Sequence, residues 1–349
     1  MERLSDAEKP VRISAMLSLG KLGHGQSPVQ DALIVFAEDS DPQIRLNAVV
    51  ALASLGKIDD TVIPMLVQAL SIEEVGTAKA ASRALGNLGI KEPEKVLPKM
   101  TEILEKKHDP ASGYALRVLK QMKAQAAPAL PQISALYDAS EAATRIIIVE
   151  AVTAIDAKGD YALPVLFKAL KEADSNDRKD ALLGLMRFRS KGDALIGHLA
   201  GALRDSDAEN RLLAVGIIRG LGQEGTAAVP DLLTLTNDPD HRVRNAAINA
   251  VVIYRPLPPE VVPALDKALK ESDSRVRNAT VNALRNLGAD HPEKVTPILK
   301  DALQVEKHGP SKRLIESALE SISKGQDSQP ADSVGKVDKD ERRKAKDTK

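Results

Sequence analysis

The chain has 349 residues, length enough for two or three ordinary domains, and carries 49 basic and 49 acidic side chains among 43% apolar and 28% charged residues. Zero net charge supplies no overall field to draw nucleic acid or an anionic membrane, although a local basic patch stays open. The absence of cysteine excludes disulfides, thiolate metal sites and a cysteine nucleophile. With no Trp and 2% aromatics, the core must be built from Ala, Leu, Val and Ile. No run reaches the ~20 apolar residues of a membrane span, and MERLSDAEKP lacks the apolar stretch of a signal peptide. The cytoplasm is the default compartment; a bacterial exported protein whose leader is missing is the other reading.

In chain order, one pattern returns about every 33 residues. MERLSDAEKPVRISAMLSLGKLG reads as the end of one helix, a turn and a second helix. Most of a first helix is missing there, so Ala15, Leu19 and Leu22 are expected to lack an outer partner. Either the chain begins earlier, the simpler explanation, or this edge meets another protein or a second copy. DPQIRLNAVVALASLG (41–56) is the first clear copy. Asp41 is placed to cap, Pro42 suits the first helical position, and Ile44, Ala48, Ala51, Leu52 and Leu55 form a buried stripe. DDTVIPMLVQAL (59–70) predicts the preceding type of helix, which elsewhere carries P-x-L-x-x-A-L at Pro164/Leu166, Pro263/Leu265 and Pro297/Leu299. Gly197 replaces that proline once, which predicts a looser helix. Gly56, Gly89, Gly222 and Gly288 are expected to end second helices.

Anchored on Arg12, equivalent positions fall at Arg45, Ala78, Ser112, Arg145, Arg178, Arg211, Arg244, Arg277 and Lys312. Such a period predicts a solenoid, in which each helix pair buries its apolar face only against its neighbours. The expected fold is therefore all-α, a right-handed superhelix of about ten helix pairs over residues 1–323, the first incomplete. Residues 324–349 hold too few apolar side chains to offset the entropy of ordering and are expected to form a disordered, charged tail.

The pattern D-x-D-x-x-[VI]-R-x-x-A-x-x-A-L-x-x-L-G, with the proline of the first helix, resembles HEAT repeats, in the short form of the phycobilisome-lyase HEAT-like group. The likeness covers about residues 1–323. It is strong at 41–56, 240–254 and 273–288 and weak at 71–89 and 108–123. The resemblance implies a structural ladder of Asp41, Arg45, Asp207, Arg211, Asp240, Arg244, Asp273 and Arg277 between consecutive units. It also implies two functional alternatives to plain protein binding: handling of a bilin chromophore, and DNA binding like that of HEAT-like alkylated-base glycosylases. Missing Trp and zero net charge count against the second.

Chemistry-bearing motifs are sparse. Gly220-Leu221-Gly222-Gln223-Glu224-Gly225 matches G-x-G-x-x-G, but it follows a predicted helix instead of a strand. The six histidines, 24, 108, 198, 241, 291 and 308, show no i, i+4 pair and no His-Glu step. No catalytic, cofactor or metal residue is therefore assigned, and no cofactor is expected.

Second helices of such solenoids usually line the concave side. Helical geometry puts the positions one, five and eight after the anchor opposite the buried stripe. Those columns read Ile13, Leu17, Leu46 and Val50; then Lys79, Arg83, Arg117 and Lys120; then Leu212 and Arg219; then Asn245, Asn249, Asn278, Asn282 and Arg285. The basic group occurs where the anchor Arg is absent, which marks it as a candidate for an acidic segment of a protein partner; the Asn-rich group is the second candidate. The expected function is a non-catalytic scaffold or adaptor.

Overall fold

The computed structural model describes residues 1–22, 27–55, 62–71, 75–106, 109–172, 174–271 and 273–327. His24, Gly56, His108 and residues 328–349, most of the expected tail, lie outside these. Every regular element among the described residues is helical. The chain divides at Phe188, whose φ −104°, ψ 23° interrupts the helical path, into the units Met1–Phe188 and Arg189–Lys349.

In the first unit the second helices are α1 (Lys9–Leu22), α3 (Pro42–Leu55), α5 (Val75–Lys91), α7 (Ser112–Met122), α9 (Ala142–Ile155) and α11 (Ser175–Leu185). Between them run the first helices α2 (Ser27–Ala37), α4 (Val62–Ala69), α6 (Pro93–Glu105), α8 (Leu130–Ala135) and α10 (Ala162–Ala169). The second unit alternates in the same way: α12 (Gly192–Ala202), α13 (Ala208–Gly220), α14 (Val229–Leu235), α15 (His241–Val251), α16 (Val261–Ala268), α17 (Ser274–Gly288), α18 (Pro292–Val305) and α19 (Gly309–Asp327). Odd-numbered helices pack on one another in sequence within each unit, with even-numbered helices laid against them. This is the stacked-pair architecture that the repeat period predicts.

Small residues set the spacing. Ile44, Ala48, Ala51 and Leu52 of α3 are buried, as the stripe predicts. Gly20 of α1 lies so close to α3 that a Cβ there would stand 2.7 Å from the Ala51 Cα. At the amino-terminal edge a 3-10 turn (Glu2–Ser5) precedes α1 and buries Leu4 in a cluster with Met16, Val29 and Leu33. Ala15 and Leu19 pack partly against that cluster, so the expectation that they lack a partner is corrected; Leu22 is exposed.

Other local expectations shift for physical reasons. Gly89 does not end α5, which continues to Lys91; the glycine makes room for Met122 of α7 instead. Gly288 is the last helical residue of α17, whereas Gly222 does take the left-handed turn, at φ +60°. Pro164 and Pro263 sit in the first turns of α10 and α16, but α18 begins one turn earlier, at Pro292, which leaves Pro297 inside the helix. The helix α12 is continuous through Gly197. Leu46 and Val50, expected to be exposed, are buried, because adjacent second helices close over that edge of α3.

Candidate functional site

Two sets of side chains emerge from this frame: one that ties the repeats together and one that does not.

The tie is the anchor arginine. Its guanidinium reaches back to two turn carbonyls: Arg45 Nη1 donates to Asp39 O (2.7 Å) and Ser40 O (2.8 Å), Arg211 Nη1 to Asp205 O (2.8 Å) and Ser206 O (3.1 Å), and Arg244 Nη1 to Asp238 O (2.7 Å) and Pro239 O (3.1 Å). Those carbonyls lie in the turn beyond the end of the preceding helix, and the arginine supplies their donor. The opposite edge of the guanidinium reaches into the next repeat. Arg211 pairs with Asp238 through two bonds of 2.7 Å, and Arg277 pairs with Glu306 at 2.8 and 3.1 Å. Arg145 reaches Glu172 at 2.8 Å. The arginine raises no question of charge state, but its partner does: Arg277 holds the Glu306 carboxyl below its ordinary value against the opposing effect of burial.

The aspartates of the expected ladder do something else. Asp41, Asp207, Asp240 and Asp273 each accept the backbone N–H two residues on, at 2.8, 2.8, 2.8 and 2.9 Å, and so cap their own helices. Arg244 and Asp273 approach as an Arg–Asp step of the expected kind, at 4.0 Å, and the Arg244 Nε is left without a hydrogen bond among the described residues. Inter-repeat ties run instead to Asp238, Glu172 and Glu306, which occupy the first acidic position of the pattern, ahead of the next anchors Arg244, Arg178 and Lys312.

In the Asn-rich group one side chain is bonded to its own helix. The Asn249 amide donates to Asn245 O at 2.8 Å, while the side-chain oxygens of Asn245 and Asn278 are buried without a hydrogen-bond partner among the described residues. Asn282 and Arg285 are half-buried on α17.

The basic group is gathered. Lys79, Arg83, Arg117 and Lys120 line one groove of about 750 Å³. Lys79 and Arg83 stand one turn apart on α5, and Arg117 and Lys120 one turn apart on α7. Gly113 and Tyr114 of α7 and Ile147 and Ala154 of α9 supply an apolar floor. The Ser82 hydroxyl is tied to Tyr114 O at 3.3 Å. Lys120 pairs with Glu150 at 2.8 Å, both side chains well exposed; Lys79, Arg83 and Arg117 have no ion pair among the described residues. A fifth cation, Lys123, also lines the groove. It adopts φ 54°, ψ −131° at the end of α7, a conformation that glycine takes far more easily. Sequence reading missed Lys123 because the register of second-helix positions stops where the helix does.

Comparison with known proteins places this geometry. Residues 1–71 and 31–120 match a family model described as HEAT repeats. Curated proteins yield no match to the chain. Among solved structures the chain is similar to Kap121p (TM-score 0.64, 16% identity, 92% of this chain and 40% of that one). It is also similar to Kap121p bound to Nup53p (0.61, 15%, 92% and 40%) and to the karyopherin Kap121p bound to the SUMO protease Ulp1p (0.61, 16%, 92% and 40%). The chain thus spans about 40% of the length of these structures. None of these matches points to the phycobilisome-lyase group. Residues 1–120 thus match HEAT repeats, and the fold is that of a helical-repeat solenoid.

Proposed function

We propose that the protein is a non-catalytic scaffold that binds a protein partner through the cationic groove on α5, α7 and α9. The observation that carries this reading is the groove itself: four cations from two adjacent repeats converge over an apolar floor, and three of them have no ion pair among the described residues. The repeat arginines are consumed by turn carbonyls and inter-repeat carboxylates, whereas these cations are left open to a ligand. A preformed concave site with an apolar floor and a few polar groups is the usual form of a binding site. The similar karyopherin structures include complexes with protein partners, Nup53p and Ulp1p, which supports the use of such a solenoid for binding proteins.

The test is the double reversal Arg83→Glu/Arg117→Glu. Both side chains are exposed, so the thermal midpoint and helical signal should stay within error. Proteins retained from a lysate of the native host by the immobilised wild-type chain should be lost with the variant and should weaken with added salt. Retention unchanged by the reversal would exclude the groove. A visible chromophore co-purifying with the chain would favour the bilin-handling reading instead.

A further inference from the structure

The groove is one end of a longer track. The position five residues after the anchor falls on Arg83 in α5, Arg117 in α7, Glu150 in α9 and Leu183 in α11, four consecutive second helices of the first unit. Contacts join the steps. Lys120, beside Arg117, bonds to Glu150 at 2.8 Å. Asp180 lies close enough to Glu150 that burial, and then the Glu150 charge, push its carboxyl above its ordinary value. Leu183 follows Asp180 by one turn and is 46% exposed, and Met186, one turn further, is 39% exposed. The track therefore reads cationic, cationic, anionic, apolar.

We propose that this track binds an extended peptide segment whose side chains follow the complementary order: acidic, acidic, basic, apolar. The proposal rests on the groove being the protein-binding site. Packed helices lie about 8–10 Å apart, and an extended chain rises about 3.3 Å per residue. Successive helices are then about three residues apart along the ligand, and the recognised pattern is acidic-x-x-acidic-x-x-basic-x-x-apolar, about ten residues long. The acidic pair lies over Arg83 and Arg117. The basic side chain lies between Glu150 and Asp180, where it relieves the repulsion of two carboxylates. The exposed Lys120–Glu150 pair is the kind that contributes little to stability, so its rearrangement is no obstacle. The apolar residue covers Leu183 and Met186. The sign reversal at Glu150 also sets a limit on length: a polyanion that crosses two helices meets carboxylates on the third and fourth. A nucleic acid, with a phosphate at every step, does not fit such a track.

The experiment selects random twelve-residue peptides displayed on phage against the full chain, with Arg83→Glu/Arg117→Glu as the counter-target. The affinity of the most enriched peptide, fluorescently labelled, is then measured by anisotropy. Enriched sequences should show the four-part order at three-residue spacing, and the double reversal should weaken binding at least about tenfold. Asp180→Lys should weaken it to a similar degree, and replacing the basic residue of the peptide with Glu should restore binding to that variant. Circular dichroism and the thermal midpoint confirm that each variant is folded. Enrichment of uniformly acidic peptides that depend on Arg83 and Arg117 would overturn the ordered track and leave the groove as a binding site. A ten-nucleotide single strand that binds as tightly as the best peptide would overturn it in favour of a polyanion site. No enrichment over the counter-target would overturn the track and the groove together.

Discussion

Single residues here divide by what limits them. Arg211 and Arg244 occupy the same repeat position, yet their environments differ. Arg211 meets Asp238 in a two-bond pair whose side chains are only 11% and 3% exposed. Arg244 reaches Asp273 at 4.0 Å, because Asp273 is already turned towards Arg275 and the amide it caps. Removing one partner of a buried pair leaves the other charge uncompensated, which costs roughly 3–5 kcal/mol. Arg211→Ala should approach that cost, while Arg244→Ala should lose chiefly its bonds to turn carbonyls, about 1–2 kcal/mol. Urea denaturation of the two variants checks the order; equal losses would mean that the turn carbonyls, and not the carboxylate, dominate the tie.

Lys123 is limited by its backbone. A non-glycine residue held at φ 54°, ψ −131° carries strain on the order of 1–3 kcal/mol. Strain of that kind persists where the surrounding structure or a function requires the side chain. Lys123→Gly should therefore raise the thermal midpoint while weakening retention of the partner at the groove. A midpoint that falls would show that the side chain supports the fold instead.

At the scale of elements, the joint between α9 and α10 is built around one carboxylate. Asp156 is buried and accepts four backbone N–H bonds, from Lys158 (3.0 Å), Gly159 (2.9 Å), Tyr161 (2.7 Å) and Ala162 (2.9 Å). Gly159 makes the loop possible by taking φ +87°. Burial pushes the Asp156 carboxyl up, but the four donors outweigh it and hold the group below its ordinary value. A carboxyl held down in the folded state contributes stability above its unfolded pKa, and that contribution is lost as pH falls through the folded value. Asp156→Ala should thus destabilise at pH 7 by roughly 2–4 kcal/mol, since several buried amides lose their acceptor. The difference from wild type should shrink below about pH 4, where the unfolded carboxyl begins to protonate. Chemical denaturation at pH 7 and pH 3 measures both; a difference independent of pH would mean that the loop is held by packing around Gly159.

At the scale of the whole molecule, repeats touch only their neighbours, so disturbances should stay local. Hydrogen exchange of Arg211→Ala should show lost protection in α13, α14 and α15, with α1, α3 and α5 unchanged. Uniform loss across both units would indicate all-or-none unfolding. The same locality explains how a binding site can be placed on α5 and α7 at all. Repeats three and four, at Ala78 and Ser112, lack the anchor arginine, and their neighbours hold without it. Their surface positions are then free to carry cations.

How far this could be read before the tertiary structure depends on whether a feature is local and periodic. The helix pairs, their stripe of Ile44, Ala48, Ala51 and Leu52, and the shared face of Lys79, Arg83, Arg117 and Lys120 all follow from two periods, 3.6 residues along the helix and about 33 along the chain. Both are properties of the sequence itself, so the four cations could be placed on one face by arithmetic. The Asn249 side chain could not be placed that way, because its bond to Asn245 O competes with exposure and only the rotamer decides it. The partners of the anchor arginines were only half legible. Asp238, Glu172 and Glu306 all occupy the first acidic position of the repeat pattern, before the next anchors Arg244, Arg178 and Lys312, but that this position and not the capping aspartate after it meets the guanidinium depends on how the turn is folded. Asp156 escaped notice because its four donors converge only once the loop at Gly159 has turned. The sequence by itself determined the all-α repeat architecture and the register of its faces. Tertiary structure decided which carboxylate ties each repeat, which face stays open, and that the basic face is a groove, because these depend on how close one helix comes to the next.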